Sequence, residues 1–105
     1  MATARDLRRI ALSLAGTTEA PHFDRTAFKV RRIYATLAQD GRTANLMLTS
    51  DQQALKCEVA PQAFSRIRNA WGARGATTVE LSAVTATELR DALTIAWRHA
   101  LGKKR

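Results

Sequence analysis

The chain has 105 residues, 46% hydrophobic and 25% charged, which fits one globular domain over residues 1–105 and leaves no room for a second core. Seventeen Lys and Arg face nine Asp and Glu, a net charge of +8, and without Lys103, Lys104 and Arg105 the charge is still +5. No apolar run approaches the roughly 18–20 residues of a membrane span, and the start Met1-Ala-Thr-Ala-Arg-Asp6 has no apolar signal core, so a cytoplasmic protein that does not enter a membrane is expected.

Thr3 to Ala15 reads as the first helix. Leu7, Ile10, Ala11 and Leu14 share one face, Thr3 with Asp6 resembles a capping box, and Gly16 is the expected stop. Arg5 and Arg9 lie opposite that face and Arg8 on its flank, a solvated arrangement. Glu19 to Phe23 suggests a first strand, which Pro21 confines to a sheet edge.

A meander follows. Phe28 and Val30 alternate against Lys29 and Arg31. In the next run Ile33, Ala35 and Leu37 are expected inward, with Tyr34 and Thr36 outward. Gln39-Asp40-Gly41-Arg42 reads as a hairpin turn, with Asp-Gly the preferred pair because Asp40 and Gly41 can both take positive φ. Ala44, Leu46 and Leu48 then face inward, Asn45 and Met47 outward.

Ser50 to Val59 reads as a short helix, with Ser50 and Gln53 as a capping box and Leu55 and Val59 as a narrow apolar stripe. Pro61 interrupts the chain and opens a further turn through Phe64. Trp71-Gly-Ala-Arg-Gly75 reads as a tight loop, because two glycines bracket a basic residue. Thr77, Val79 and Leu81 mark another strand. Thr85 to Leu101 is the last helix, with a Thr85–Glu88 capping box, a stripe from Leu89 to Leu101 that includes Trp97, and Gly102 as its end. The Lys103–Arg105 tail is expected to fray and to favour the helix C-terminus electrostatically. The fold class is therefore α+β: an antiparallel β-sheet meander with N- and C-terminal helices on one face and a short inserted helix.

The catalytic readings fail in turn. There is no glycine-rich phosphate loop of either common type. The acidic residues are few and scattered, with no helical pairing for acid–base work. Cys57 is the single cysteine, with no base or orienting group near it in sequence. His22 has no second ligand at metal spacing, since His99 lies far along the chain. No catalytic residue, metal or cofactor is expected, and the chain reads as a binder.

The charge has more structure. Arg outnumbers Lys by 13 to 4, and the planar guanidinium fork suits bidentate contact with phosphate. Lys29, Arg31 and Arg32 sit at a strand end and its turn, Arg42 at the Asp40-Gly41 tip, and Arg68 and Arg74 on or beside the Trp71 loop, with Arg66 close by. These six — Lys29, Arg31, Arg32, Arg42, Arg68 and Arg74 — are the candidate phosphate contacts, with Tyr34 and Trp71 as candidates for stacking on bases. A nucleic-acid partner, DNA first, is the leading expectation. The alternative is a non-enzymatic module for a protein or small ligand, presenting Tyr34, Met47 and Trp71, whose basic surface only solubilises. The sequence sets no oligomeric state.

The segments Leu7-Arg-Arg-Ile-Ala-Leu-Ser-Leu14-Ala-Gly16, Pro21-His22-Phe23, Ala27-Phe28-Lys29-Val30, Ile33-Tyr34-Ala35-Thr36-Leu37, Trp71-Gly72-Ala73-Arg74-Gly75 and Leu89-Arg-Asp-Ala-Leu93 with Trp97 resemble the MmcQ/YjbR family over nearly the whole chain. The resemblance implies a fold like the frataxin homologue CyaY, two helices over an antiparallel sheet, and DNA binding through a double wing of β-hairpins. Two departures stand out. Thr26 takes the place of a frequent family proline, so a looser turn is expected there. Frataxin homologues carry an acidic ridge for iron on the first helix, where this chain has Arg5, Arg8 and Arg9 with only Asp6. The resemblance supplies no catalytic residue.

Overall fold

Six antiparallel strands form one sheet: β1 (Thr18–His22), β2 (Arg25–Lys29), β3 (Ile33–Leu37), β4 (Thr43–Met47), β5 (Phe64–Arg66) and β6 (Ala76–Glu80), in the order β1-β2-β3-β4-β6-β5. The computed structural model describes residues 1–102, so the Lys103–Arg105 tail lies outside the described residues. Pro21 falls on an edge strand as expected, where its missing N–H costs no ladder bond on the outer side. The residues around Phe64 do more than turn: Ser65 and Arg66 pair with Thr78 and Thr77, which makes β5 the opposite edge.

The helices are α1 (Ala4–Ser13), α2 (Ser50–Val59) and α3 (Ala86–Leu101). α1 and α3 each start with the expected capping box. The Thr3 hydroxyl accepts from the Asp6 amide at 3.2 Å and the Asp6 carboxylate accepts from the Thr3 amide at 3.0 Å. Thr85 and Glu88 do the same at 3.1 and 2.8 Å. One core joins Leu7 and Ile10 of α1 and Leu89 and Leu93 of α3 to Phe28, Ala35, Leu46 and Val79 of the sheet. Each of the larger side chains among these, Ala35 aside, contributes about 1.5–3 kcal/mol by leaving water. Trp97 is half-buried and its indole N–H donates to the Ala15 carbonyl at 2.9 Å, which ties the end of α1 to α3.

Three local expectations change. In α2 the N-cap is Thr49, whose hydroxyl accepts from the Gln52 amide at 3.1 Å, not Ser50. Leu55 and Val59 are 54% and 72% exposed, so the expected stripe faces solvent. The inward residues are instead Gln53, which is buried, and Cys57 and Ala60, which pack against the core. Lys56 also turns this way, to the Asp91 carboxylate of α3 at 2.6 Å and over the Phe64 ring. In the β3–β4 turn only Gly41 has positive φ (73°). The loop spans four residues, closed by Ala38 N–H to Thr43 O at 3.0 Å, which is long enough to spare Asp40 that conformation. Thr26 lies inside β2, paired with Pro21 and Leu37, so no loosened turn occurs there.

The largest change is a β-bulge. β2 and β3 pair Phe28 with Ala35 and then Lys29 with Ile33, so Tyr34 is an extra residue on β3. Tyr34 and Ala35 both turn into the helix-covered core. Ile33 is displaced to the other face, beside Lys29. The strict alternation that put Tyr34 outside and Ile33 inside therefore fails at this residue, while Ala35 and Leu37 keep their expected side. Thr36 does face away from the helices, yet it is buried, because the Arg25 guanidinium lies over it with Nε 2.8 Å from its hydroxyl.

Candidate functional site

The sheet face turned away from the helices carries Asn45, Met47, Ser65 and Thr78, with the Thr78 hydroxyl donating to the Asn45 side chain at 2.9 Å. A cleft of about 420 Å³ lies over part of this face. Its floor is Ile33, Thr36 and Met47, and it is bounded by Trp71 and Arg74, by Arg32 and His99, and by His22. No carboxylate lines it.

Arg32 reaches the cleft from the β2–β3 turn. Its guanidinium donates to the His99 carbonyl at 2.9 Å, and that of Arg31 donates to the Leu101 carbonyl at 2.9 Å. These are among the last carbonyls of α3, at the negative end of the helix dipole, and that of His99 also accepts from the Gly102 amide at 3.1 Å. Arg31 and Arg32 thus cap α3, a structural duty that sequence spacing did not reveal. A guanidinium has five N–H donors, so the Arg32 fork can serve the helix end and an anion in the cleft together. A neighbouring cleft of about 560 Å³ shares Arg32 and His99 and adds Arg98 to the same basic rim.

Trp71 and Arg74 are held on a single 3-10 turn, Gly72–Arg74. The Asn69 side chain accepts from the Gly72 amide at 2.9 Å. Both expected glycines are required: a Cβ on Gly72 would sit 1.6 Å from the Ile67 carbonyl oxygen, and one on Gly75, at φ +111°, would sit 1.9 Å from that of Leu48. Gln53 of α2 fastens the loop from beneath through the carbonyls of Gly72 and Ala76. Trp71 is left 43% exposed.

The predicted phosphate contacts do not all share this place. Arg32 and Arg74 line the cleft. Lys29 is exposed and pairs with the floor residue Ile33. Arg31 is exposed beside Arg32 but is bound to α3. Arg68 lies beyond β5 at the outer edge, on a shallow surface with Ser65, Arg66 and Asn69. Arg42 precedes Thr43, at the end of β4 opposite Met47 and the Trp71 loop. Of the stacking candidates, Trp71 borders the cleft, but Tyr34 does not. It is 0% exposed, its hydroxyl 2.9 Å from the Thr17 hydroxyl and 3.3 Å from the Ala11 carbonyl, so it cannot meet a base. The bulge is the cause.

Phe23 was not anticipated. It occupies the first position of the two-residue loop between His22 and Arg25, has φ +59°, and is 94% exposed. Its ring meets the His22 ring edge-on, with centroids 4.8 Å apart. Glycine is the usual residue at such a position, so no sequence signal marks a phenylalanine there.

The arrangement suits an anionic ligand with a flat apolar part: guanidinium forks for phosphate, an indole and a thioether for a ring. Cys57 lies elsewhere, next to Arg66. Burial pushes its thiol up from the ordinary value, with Arg66 partly offsetting, so it stays protonated at neutral pH. Among the described residues no cluster of three or more His, Cys, Asp or Glu side chains could hold a metal, and no helix is long and apolar enough to cross a membrane.

The fold is similar to the crystal structure of the Deinococcus radiodurans protein DR2400, with its DUF419 domain, at a TM-score of 0.82 and 24% identity, covering 98% of this chain and 81% of that one. No curated protein matches the chain. The family model described as YjbR matches residues 12–99, and the chain belongs to the YjbR family.

Proposed function

We propose that this protein binds DNA without catalysing a reaction on it, holding the phosphate backbone against the cleft side of the sheet. The observation that carries this reading is the convergence of Arg32 and Arg74 on one cleft with no carboxylate lining it, in a chain of net charge +8. Lys29 extends the positive surface along the floor, and Arg31 and Arg68 flank it at the same end of the sheet. Arg42 stands apart and contributes long-range attraction only.

Fluorescence anisotropy with random duplex and single-stranded oligonucleotides across a salt series tests this. Each phosphate contact releases about one counterion, so Arg32→Gln and Arg74→Gln should each lower the slope of log affinity against log salt by about one. Arg42→Gln should weaken binding less than either. Affinity that does not change between low and moderate salt, or no binding to either oligonucleotide at low salt, would end the proposal.

A further inference from the structure

The cleft also says which form of DNA it takes. We infer that it is a single-strand site, in which Trp71 and the His22–Phe23 pair stack on unpaired bases while Arg32 and Arg74 hold the phosphates between them; this rests on the DNA-binding reading above. Three observations carry it.

The first is shape. The cleft is concave and about 420 Å³ in volume, with its apolar floor recessed below Trp71 and the arginines. Duplex DNA offers base edges in grooves and is read by helices or ribbons that protrude into them. A recessed floor cannot reach those edges, whereas a splayed base can enter it. The cleft spans the sheet from Arg32, before β3, to His22, at the end of β1. A five-residue strand is roughly 16 Å long, room for a few nucleotides in a row.

The second is the distribution of chemistry. The flat or soft apolar groups, Trp71, Met47 and Ile33, line the same cleft as the two guanidinium groups of Arg32 and Arg74. In a strand the bases and phosphates alternate on the same scale, and base–aromatic stacking tolerates any sequence because every base has a π-face. A purely electrostatic duplex site has no use for an indole at its border.

The third is Phe23. A bulky residue at φ +59° is a strained backbone conformation, and here the strain holds an aromatic ring in solvent at 94% exposure. Its contact with His22 joins it to the end of the cleft. The assignment to DNA is that of the reading above.

The test compares a twelve-nucleotide oligothymidine, a random duplex of twelve base pairs and an oligouridine of the same length at one salt concentration. The oligothymidine is expected to bind at least tenfold more tightly than the duplex and more tightly than the oligouridine. In a Trp97→Phe background, where Trp71 is the only tryptophan, it should quench the emission. Trp71→Ala should weaken oligothymidine binding about tenfold or more while changing duplex binding less than twofold, and Phe23→Gly should act in the same direction more weakly. Duplex binding as tight as single-strand binding, with Trp71→Ala without effect, would overturn the single-strand inference and leave the phosphate-binding proposal standing. Tighter oligouridine binding would overturn the assignment to DNA. Absence of binding to all three at low salt would overturn both proposals.

Discussion

The Gln53 side-chain amide donates to the Gly72 carbonyl at 2.9 Å and, with the same nitrogen, to the Ala76 carbonyl at 3.0 Å. One buried glutamine on α2 thereby fixes the loop that presents Trp71 and Arg74. Gln53→Leu keeps the volume and removes the donor, and leaves the two carbonyls only their backbone partners, the Gly75 amide at 3.0 Å on Gly72 and the Ile67 amide at 3.2 Å on Ala76. A hydrogen bond lost between groups that keep another partner costs about 0.5–1.5 kcal/mol, so urea unfolding should show a loss of about that size for each of the two bonds. If the cleft binds DNA as proposed, affinity should fall as well, because the indole is held less firmly. Unchanged stability in Gln53→Leu would mean that the loop is held by its own turn, through Asn69 and the two glycines.

Tyr34 allows a sharper test, because it is the only tyrosine. Burial raises its hydroxyl above the ordinary 10.0, and the hydrogen bond from Thr17 only partly offsets this. The folded state therefore holds the proton more tightly than the unfolded state. The resulting stability is complete below pH 10.0 and is lost as pH rises past that value through the higher folded one. Absorbance at the tyrosinate band should show native ionisation above that of the urea-unfolded chain. Tyr34→Phe, which takes its partner from the Thr17 hydroxyl and leaves the Ala11 carbonyl only the Leu14 amide at 3.1 Å, should cost about 0.5–1.5 kcal/mol. Native ionisation at the unfolded value would place the ring in solvent and contradict the bulge.

Tyr34 also marks where the sequence stops being legible. The terminal helices could be read outright, because Thr3 with Asp6 and Thr85 with Glu88 are local signals and the apolar period runs between them. β3 could be read only in part. Ile33 and Tyr34 are both large and β-favouring, so alternation alone sets the parity, and one extra residue reverses it; the partner that fixes Tyr34, Thr17, is 17 residues away. α2 misled for a related reason: Leu55 and Val59 have helical spacing, but Gln53 is buried because it has carbonyls to satisfy on a distant loop. The cleft was legible as residue types and not as a place. Trp71 and Arg74 are local neighbours, but Arg32 meets His99 across 67 residues.

The α1 capping box should give the acid limb of the stability curve a specific origin. The Arg9 guanidinium, 3.1 Å away, and the Thr3 amide hold the Asp6 carboxyl below its ordinary 3.8. Asp6 therefore adds stability that is fully present above that value and is lost as pH falls through the lower folded one. Carboxyl titration by NMR should place Asp6 below the unfolded range, and Arg9→Gln should move it upward. Asp6→Asn should flatten the stability profile below pH 3.8. An Asp6 titration that Arg9→Gln leaves in place would assign the shift to the cap alone.

Phe23 separates folding from function. Its φ of +59° costs about 1–3 kcal/mol for a side chain with a Cβ. Glycine removes that cost, although it loosens the unfolded chain by about 0.4–1 kcal/mol and gives up the ring contact with His22, worth about 0.5–1.5 kcal/mol. At 94% exposure little other packing is lost. Phe23→Gly should therefore leave stability unchanged or raise it by about 1 kcal/mol, which is a midpoint rise of up to about 4–8 °C for a domain of this size. A variant that is as stable as the parent but binds single strands less well would show that the strained ring is kept for the ligand. A loss of more than about 1 kcal/mol would show instead that the His22–Phe23 contact holds the hairpin together, and the strain would then have a structural reason.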